Sequence, residues 1–329
     1  MQFVIFGAGA IGGVVGARLA QQDEQVVLVA RGEHAAAIER AGLRLRTPDE
    51  DVTVAVPVCT DPSTLRIGPD SVVLLAVKSQ DTEAALDALR PVLRSTTPVV
   101  CLQNGVENER RVARRFPSVY ATVVMCPAAH LEPGVVVAYS SPITGLIDIG
   151  RYPAGTDAMT AGLARVLSGA GFDARESGDI LRWKYAKLIV NLVNAVDALC
   201  KPSDLNRELA EHLRTEGRAV LDAAGIDYAS EQEDATRRGD LMTIGAVGDG
   251  ERAGASSWQS LKRGSGSIET DFLNGEIVLL GRLHGVPTPL NSAIQELAVQ
   301  AARSRLPPAT FDAREVLSLA DSRRADASP

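Results

Sequence analysis

Cysteine is scarce in this chain: Cys59, Cys101, Cys126 and Cys200 are scattered, and no two form a CxxC pair. That scatter excludes a disulfide framework and a cysteine zinc site, and points to reduced thiols in a cytoplasmic protein. The four histidines, His34, His130, His212 and His284, show no ligand spacing either, so no metal is expected. Basic residues are in deficit, 34 against 41 acidic for a formal net charge of −7, which argues against nucleic acid as a bulk partner. Every long apolar run is interrupted by charge or is too short to span a bilayer, so no membrane segment is expected. The opening MQFVIFGAGAIGG has no basic residue ahead of its apolar run, unlike a signal peptide. What is present, 45% apolar and 23% charged residues over 329 positions, suits a soluble globular protein of two domains.

The first half alternates short β-rich runs with helical segments. FVIF (3–6), QVVLVA (25–30), SVVLLAV (71–77) and PVVCL (98–102) read as strands, with helices predicted over 11–21 and 80–94. Continuous apolar strands alternating with helices imply a parallel sheet covered on both faces. VYATVVMC (119–126), VVVAYSS (135–141) and TGLIDIG (144–150) are set apart by Gly and Pro and read as antiparallel or mixed strands. A helix near 157–169 and a strand at FDARES (172–177) close the domain. From 179 onward helical patterns dominate: 179–200, 206–224, 270–284 and 289–304. The Gly-rich interval 239–257 reads as loop or broken helix, and the terminal DSRRADASP as frayed. The predicted division is therefore 1–178, an α/β domain, and 179–329, an all-helical one.

Gly7, Gly9 and Gly12 of GAGAIG follow the first strand and open a helix, with Ala8, Ala10 and Ile11 between and beside them. This is the context of the dinucleotide fingerprint: a tight turn, close backbone approach to the pyrophosphate, and a helix N-terminus facing the anion. NAD-binding proteins commonly place an acid at the end of the second strand, but here the strand ends in Ala30 and Arg31. A guanidinium suits the 2′-phosphate of NADPH; the ordinary alternative is a solvated Arg31 with Glu33 serving the ribose. Lys78 and Asn104 follow two further strands, where ligands of open α/β sheets bind. A helix-entry lysine and an Asn-Gly turn are the plainer readings of those two residues.

In the apolar stretch LRWKYAKLIVNLVNAVDALC (181–200), Lys187, Asn191 and Asn194 fall on one face of a continuous helix. A lysine in a partly desolvated cleft can stabilise the charge that develops on a carbonyl oxygen during hydride transfer, and can protonate it. The bland reading is a snorkelling lysine with amides linking neighbouring helices. Ser257 lies twelve residues before Glu269, which Asp271 and Asn274 follow. Glu269 could equally be a favourable anion in a helix's first turn, capped by Ser267.

GAGAIG, Arg31, Lys78, the NG at 104–105, KLIVN at 187–191, the 257/269 pair and DFLNG at 271–275 together resemble the ketopantoate reductases, or 2-dehydropantoate 2-reductases. The resemblance runs in order through about residues 1–305 and implies a Rossmann-type N-terminal domain, a helical C-terminal domain and an active site between them. It implies NADPH-dependent reduction of 2-dehydropantoate to (R)-pantoate in pantothenate and coenzyme A synthesis. In that scheme Lys187 is the general acid and Glu269 binds the substrate hydroxyl and positions Lys187. Asn104, Asn191, Asn194 and Ser257 bind substrate, Ser257 through the carboxylate. Lys78 and Asn104 lie near the cofactor, and Arg31 takes the 2′-phosphate. Ala195 stands where the family commonly has a second asparagine, with Asn194 one position off. Ile268-Glu269-Thr270-Asp271 replaces the usual Thr-Glu-Ile-Asp, after a Gly/Ser-rich RGSGS. MCPAAHLEPG (125–134) also departs from the family, and all three changes are expected on the substrate side.

Two other functions compete. The lysine-plus-asparagine helix also resembles that of β-hydroxyacid dehydrogenases, which suggests an oxidoreductase acting on another 2-oxo or hydroxy acid. A non-catalytic NADPH sensor is the reading without chemistry; the Lys187/Glu269 pair speaks against it, since a sensor needs no proton donor. The apolar helical domain makes a homodimer plausible.

Overall fold

The computed structural model describes residues 1–248 and 253–326, with side chains through Arg323. Along the chain come β1 (Gln2–Phe6), α1 (Ala10–Gln21), β2 (Gln25–Val29), α2 (Gly32–Ala41), β3 (Leu43–Arg46), β4 (Asp51–Val54) and β5 (Val58–Cys59). Next are β6 (Ser71–Leu75), α3 (Thr82–Leu89), β7 (Val99–Cys101), α4 (Asn108–Ala113), β8 (Val119–Met125), β9 (Ala128–Ala129), β10 (Val135–Ala138) and β11 (Ser140–Pro142). β12 (Gly145–Arg151), α5 (Ala158–Gly169), β13 (Phe172–Glu176) and α6 (Ile180–Asn191) follow. The remainder is α7 (Asn194–Leu199), α8 (Leu205–Ala223), α9 (Glu231–Arg238), β14 (Met242–Ile244), α10 (Ser256–Lys262), α11 (Asn274–His284), α12 (Pro289–Arg303) and α13 (Ala313–Asp326).

Eight strands form one sheet in the order β13-β12-β8-β7-β6-β1-β2-β5. The six from β5 to β8 are parallel, β12 runs antiparallel to β8, and β13 runs parallel to β12. Both faces are covered, which is why the strands read as unbroken apolar runs. Phe3, Ile5, Leu28, Val72 and Leu74 pack with Val14, Val15 and Leu19 of α1 and Leu163 and Leu167 of α5. Val4, Phe6, Val73 and Leu75 point the other way, toward Leu86 and Leu89 of α3 and Val112 of α4. Chain order reverses between β1 and β6, and open α/β sheets take their ligands beyond the carboxyl ends of strands at such a reversal. A second sheet, β4-β3-β10-β9, packs on α1, and β11 pairs with β14. The short, half-exposed β3, β4 and β5 gave no apolar run to read.

The chain divides into two compact units, Met1–Lys184 with Ser230–Arg252, and Tyr185–Ala229 with Ala253–Pro329. The division thus differs from a single boundary at 178: it falls within α6, and a later segment returns to the first unit. Ion pairs and a strand hold that segment there. Arg237 of α9 bonds Asp148 of β12 through Nη2 at 2.7 Å and Nε at 2.9 Å, and its Nη1 lies 2.8 Å from Asp173 of β13. Arg182 and Glu233 form a two-pronged pair at 2.7 and 2.9 Å. The interval read as loop or broken helix therefore contains β14 and the start of α10, while 249–252 lie outside the described residues.

In the second unit α8 buries Leu209, Leu213, Gly217, Val220 and Leu221 along one stripe. α12 packs on α11, α7 and α8, and α13 packs on α12 and α8. Residues 321–326, expected to fray, continue α13, whose Val316 and Ala320 are buried; 327–329 lie outside the described residues.

A buried ion pair sits in the first unit. Lys184 (3% exposed) places Nζ 2.6 Å from Oε1 of Glu109 (0% exposed) and donates to the carbonyls of Gln103 at 3.1 Å and Thr122 at 3.3 Å. Burial raises the Glu109 carboxyl, and Lys184 opposes it. Removing one partner strands the other, so Lys184→Met is expected to cost about 3–5 kcal/mol. Adding Glu109→Leu should restore most of it in urea unfolding; a double variant as unstable as the single one would overturn the ion-pair account.

Candidate active-site residues

The glycine turn is built by close approach. Gly7 has φ +106°, and a Cβ there would lie 2.8 Å from the backbone nitrogen of Val77, just past β6. A Cβ on Gly12 would stand 2.0 Å from the Gly7 carbonyl oxygen. Only glycine fits at either position. Gly9 is different: nothing lies within 4 Å of its missing Cβ. It occupies the N-cap position of α1 with no side chain to bond the first-turn N–H groups. An open approach above unsatisfied helix N–H groups fits a pyrophosphate. Ala8 is buried under the turn, while Ala10 and Ile11 are half-buried at the helix start.

The other expected groups of this unit stand past the carboxyl ends of neighbouring strands. Arg31 follows β2 at the N-cap of α2, with its side chain 89% exposed and Nη2 3.8 Å from Asp81 Oδ1. Glu33, in the first turn, is also exposed. Lys78 follows β6 and precedes the 3₁₀ turn Ser79–Asp81. Asn104 follows β7 and precedes Gly105 at φ +77°, so the Asn-Gly turn is real. A buried network missed in the sequence ties these two loops. Gln103 Nε2 donates to Val77 O and Thr82 Oγ1, both at 2.8 Å. Asn108 Nδ2 donates to Ser79 Oγ and Asn104 O, both at 3.0 Å, and its Oδ1 accepts from Thr82. The amides flanking the turn in CLQNGVEN were the available signal.

The segment 125–134, expected on the substrate side, contacts His34 of α2 in this unit. The Gly134 N–H donates to His34 Nδ1, and the His130 ring lies against the His34 ring, tilted by 47°.

In the second unit, Lys187 and Asn191 are one turn apart on α6. Lys187 is half-buried; Asn191 is only 8% exposed, and its Nδ2 is buried without a hydrogen-bond partner. The helix then stops. Asn194 begins α7 after a break at Leu192 and Val193, so the three polar residues do not share one continuous helical face. Asn274 of DFLNG secures the break: its Nδ2 donates to Leu192 O at 3.1 Å and to Asn291 Oδ1 at 3.0 Å. Asn291 Nδ2 in turn donates to Leu213 O and to Glu216, at 3.2 and 2.9 Å. Glu216 also accepts the N–H groups of Leu290 and Asn291 at the start of α12.

Ser257 is buried on α10, which packs against α7. The neighbour that reaches Glu269 is Ser256, whose Oγ donates to Glu269 Oε2 at 3.2 Å. Glu269 is buried in the 3₁₀ turn Glu269–Phe272, whose cap position is Ile268, so Ser267 does not hold the expected place. The second unit thus carries an ammonium and amides on α6 and α7, hydroxyls on α10 and a carboxylate in the 3₁₀ turn Glu269–Phe272.

A mostly parallel sheet with a glycine turn at its reversal point defines a Rossmann-type dinucleotide-binding protein, here joined to a helical unit. The ketopantoate reductase PanE/ApbA model matches residues 3–153, and its C-terminal model matches residues 179–302. The chain belongs to that family of oxidoreductases. It is 30% identical to a 2-dehydropantoate 2-reductase of Pyrococcus horikoshii, over 88% of this chain and 94% of that one. A Mesorhizobium japonicum 2-dehydropantoate 2-reductase is also 30% identical, over 93% and 99%. A ketopantoate reductase structure from Ralstonia eutropha JMP134 aligns with TM-score 0.78 and 31% identity, covering 93% and 99%. D-mandelate dehydrogenase with NADH and anilino(oxo)acetate aligns with TM-score 0.79 and 25% identity, covering 93% and 99%.

Asn274→Leu leaves the Leu192 carbonyl and the Asn291 amide buried without this partner. It is expected to cost about 2–3 kcal/mol in chemical unfolding. Asp271→Ala, at an exposed position of the preceding 3₁₀ turn, should stay within about 0.5 kcal/mol of wild type. Equal effects would refute the role of the network.

Proposed function

We propose that the protein reduces 2-dehydropantoate to (R)-pantoate with NADPH, in pantothenate and coenzyme A synthesis. The observation that carries the reading is Asn191: a buried amide with no protein partner, one turn from Lys187, has a hydrogen bond to give to a ligand. When bound, the nicotinamide supplies a hydride to the carbonyl carbon. The turn Gly7–Gly12 and the N-terminus of α1 take the pyrophosphate, Arg31 the 2′-phosphate, and Lys78 and Asn104 polar groups nearby. Lys187 gives its proton to the carbonyl oxygen as negative charge develops there, and regains one from water. Glu269 accepts the substrate hydroxyl and positions Lys187. Asn104, Asn191, Asn194 and Ser257 hold the rest of the substrate, Ser257 at its carboxylate.

A second reading has its own support. A solved protein of this fold is a D-mandelate dehydrogenase with NADH, and Ala195 and Ile268 depart from the family pattern. On that reading the substrate is another 2-oxo acid. We also propose a homodimer: Leu279 and Leu283 are exposed one turn apart on α11.

Lys187→Ala is expected to lower kcat by about 10²- to 10⁴-fold while NADPH still binds. Wild-type-like turnover would sink the mechanism. kcat/KM across a panel of 2-oxo acids decides the substrate, and ketopantoate should lead it. Arg31→Ala should weaken NADPH by about tenfold or more and leave NADH nearly unchanged; equal losses would remove the 2′-phosphate assignment.

A further inference from the structure

His34, on α2, is not among the residues assigned above. Its Nε2 lies 2.8 Å from the carbonyl oxygen of Ala8, inside the glycine turn, and the N–H of Gly134 donates to its Nδ1 at 2.9 Å. Together the bonds set the tautomer. A nitrogen that accepts from Gly134 carries no proton, so the proton sits on Nε2 and is donated to Ala8. His130 backs the ring, with centroids 4.0 Å apart, and its own Nδ1 lies 3.0 Å from Val135 O. Gly134 has φ +77°, and a Cβ there would press on Ala37 of α2 at 3.0 Å. The imidazole therefore braces three elements of the first unit: the glycine turn, α2, and the segment leading into β10.

The peptide joining Ala8 to Gly9 is planar, so tethering the Ala8 carbonyl also fixes the direction of the Gly9 N–H. Gly9 is the turn residue with open space above it. We propose that neutral His34, backed by His130 and Gly134, is a positioning residue for the dinucleotide, holding the Ala8–Gly9 peptide in the orientation that receives the pyrophosphate. This rests on the dinucleotide part of the proposed function and is independent of the substrate.

Protonation would put a hydrogen on Nδ1, donor against donor with Gly134. The ionisable residues of the elements around it are Arg31 at the N-cap of α2, Glu33, Glu39 and Arg40 on α2, and His130 and Glu132 in the segment before β10; Gly7–Gly12 carries none. Burial holds the His34 pKa below its ordinary 6.5, and the Ala8 bond pulls it up less strongly. With the folded value depressed, the brace is complete above pH 6.5 and is lost as pH falls through the folded value. Dinucleotide affinity should decline on that acid side. NADH is the probe for this arm, because a 2′-phosphate monoester itself titrates near about 6.

Dissociation constants of NADH and NADPH, measured by fluorescence at pH 7.5, and of NADH from pH 5.5 to 7.5, test the proposal on wild type, His34→Gln and His34→Asn. Gln offers a donor toward Ala8 and does not titrate; Asn offers an acceptor toward Gly134 and falls short of Ala8. His34→Asn should weaken both dinucleotides about tenfold at pH 7.5. His34→Gln should stay within about threefold of wild type and abolish the acid decline of NADH binding. Wild-type affinity in His34→Asn, or an unchanged acid decline in His34→Gln, overturns the proposal. Long-range ¹H–¹⁵N correlation of the dinucleotide-free wild type should show His34 as the Nε2–H tautomer at pH 7.5, independently of variant folding; an Nδ1–H form also overturns it. A wild type that binds neither dinucleotide sinks the dinucleotide reading itself, whereas wild-type binding with unaltered variants sinks only the role of His34.

Discussion

The first unit is organised around one steric constraint: the backbone of the glycine turn must pass directly against the end of β6 and against itself. With hydrogens in place of side chains at Gly7 and Gly12, α1 starts immediately after β1 and lies close on the sheet. That placement puts a helix N-terminus at the point where strand order reverses. It also lets α1 serve as the floor for the second sheet, so β10 and its preceding segment reach the turn. Filling either glycine would shift the helix, and with it the second sheet and the imidazole brace.

The helical unit meets a different constraint, the satisfaction of polar groups inside an apolar body. A helix that stops at Asn191 exposes carbonyls within the protein, and an unpaired carbonyl there is costly. The chain from Leu192 through Asn274, Asn291 and Glu216 resolves this and caps α12 at the same time. These groups bond one another, whereas Asn191 Nδ2, at the end of α6, is buried without a partner. A buried donor of this kind, one turn from Lys187, is available to a ligand.

Much of this was legible from periodicity and local chemistry. β1, β2, β6, β7 and β8 are near-continuous apolar runs because both sheet faces are covered, and the spacing of Gly7, Gly9 and Gly12 depends only on neighbours in sequence. α8 and α12 carry stripes that a helix must bury. What escaped reading was held by distant partners. α9 and β14 join the first unit through Arg237, Glu233 and pairing with β11, none of which has a local signature. The break in 179–200 has no Gly or Pro to announce it, since it is stabilised from Asn274, about eighty residues away. Ser256, adjacent to the serine singled out, reaches Glu269 because of the phase of a short helix.

By itself, then, the sequence determined the parallel sheet with its dinucleotide turn, the helical second half, the types of side chain gathered there and the family they resemble. These follow from nearest-neighbour sterics and from the periods of strand and helix. Only the tertiary structure decided which polar residues are consumed in bracing the fold and which are left to act. Asn108, Lys184, Asn274 and Asn291 are held by long-range partners, Asn191 is not, and His34 is turned by Gly134 toward the Ala8 carbonyl. The reason is physical: hydrogen bonding in a buried site is settled by whatever the folded chain brings within about 3 Å, and sequence separation places no limit on that.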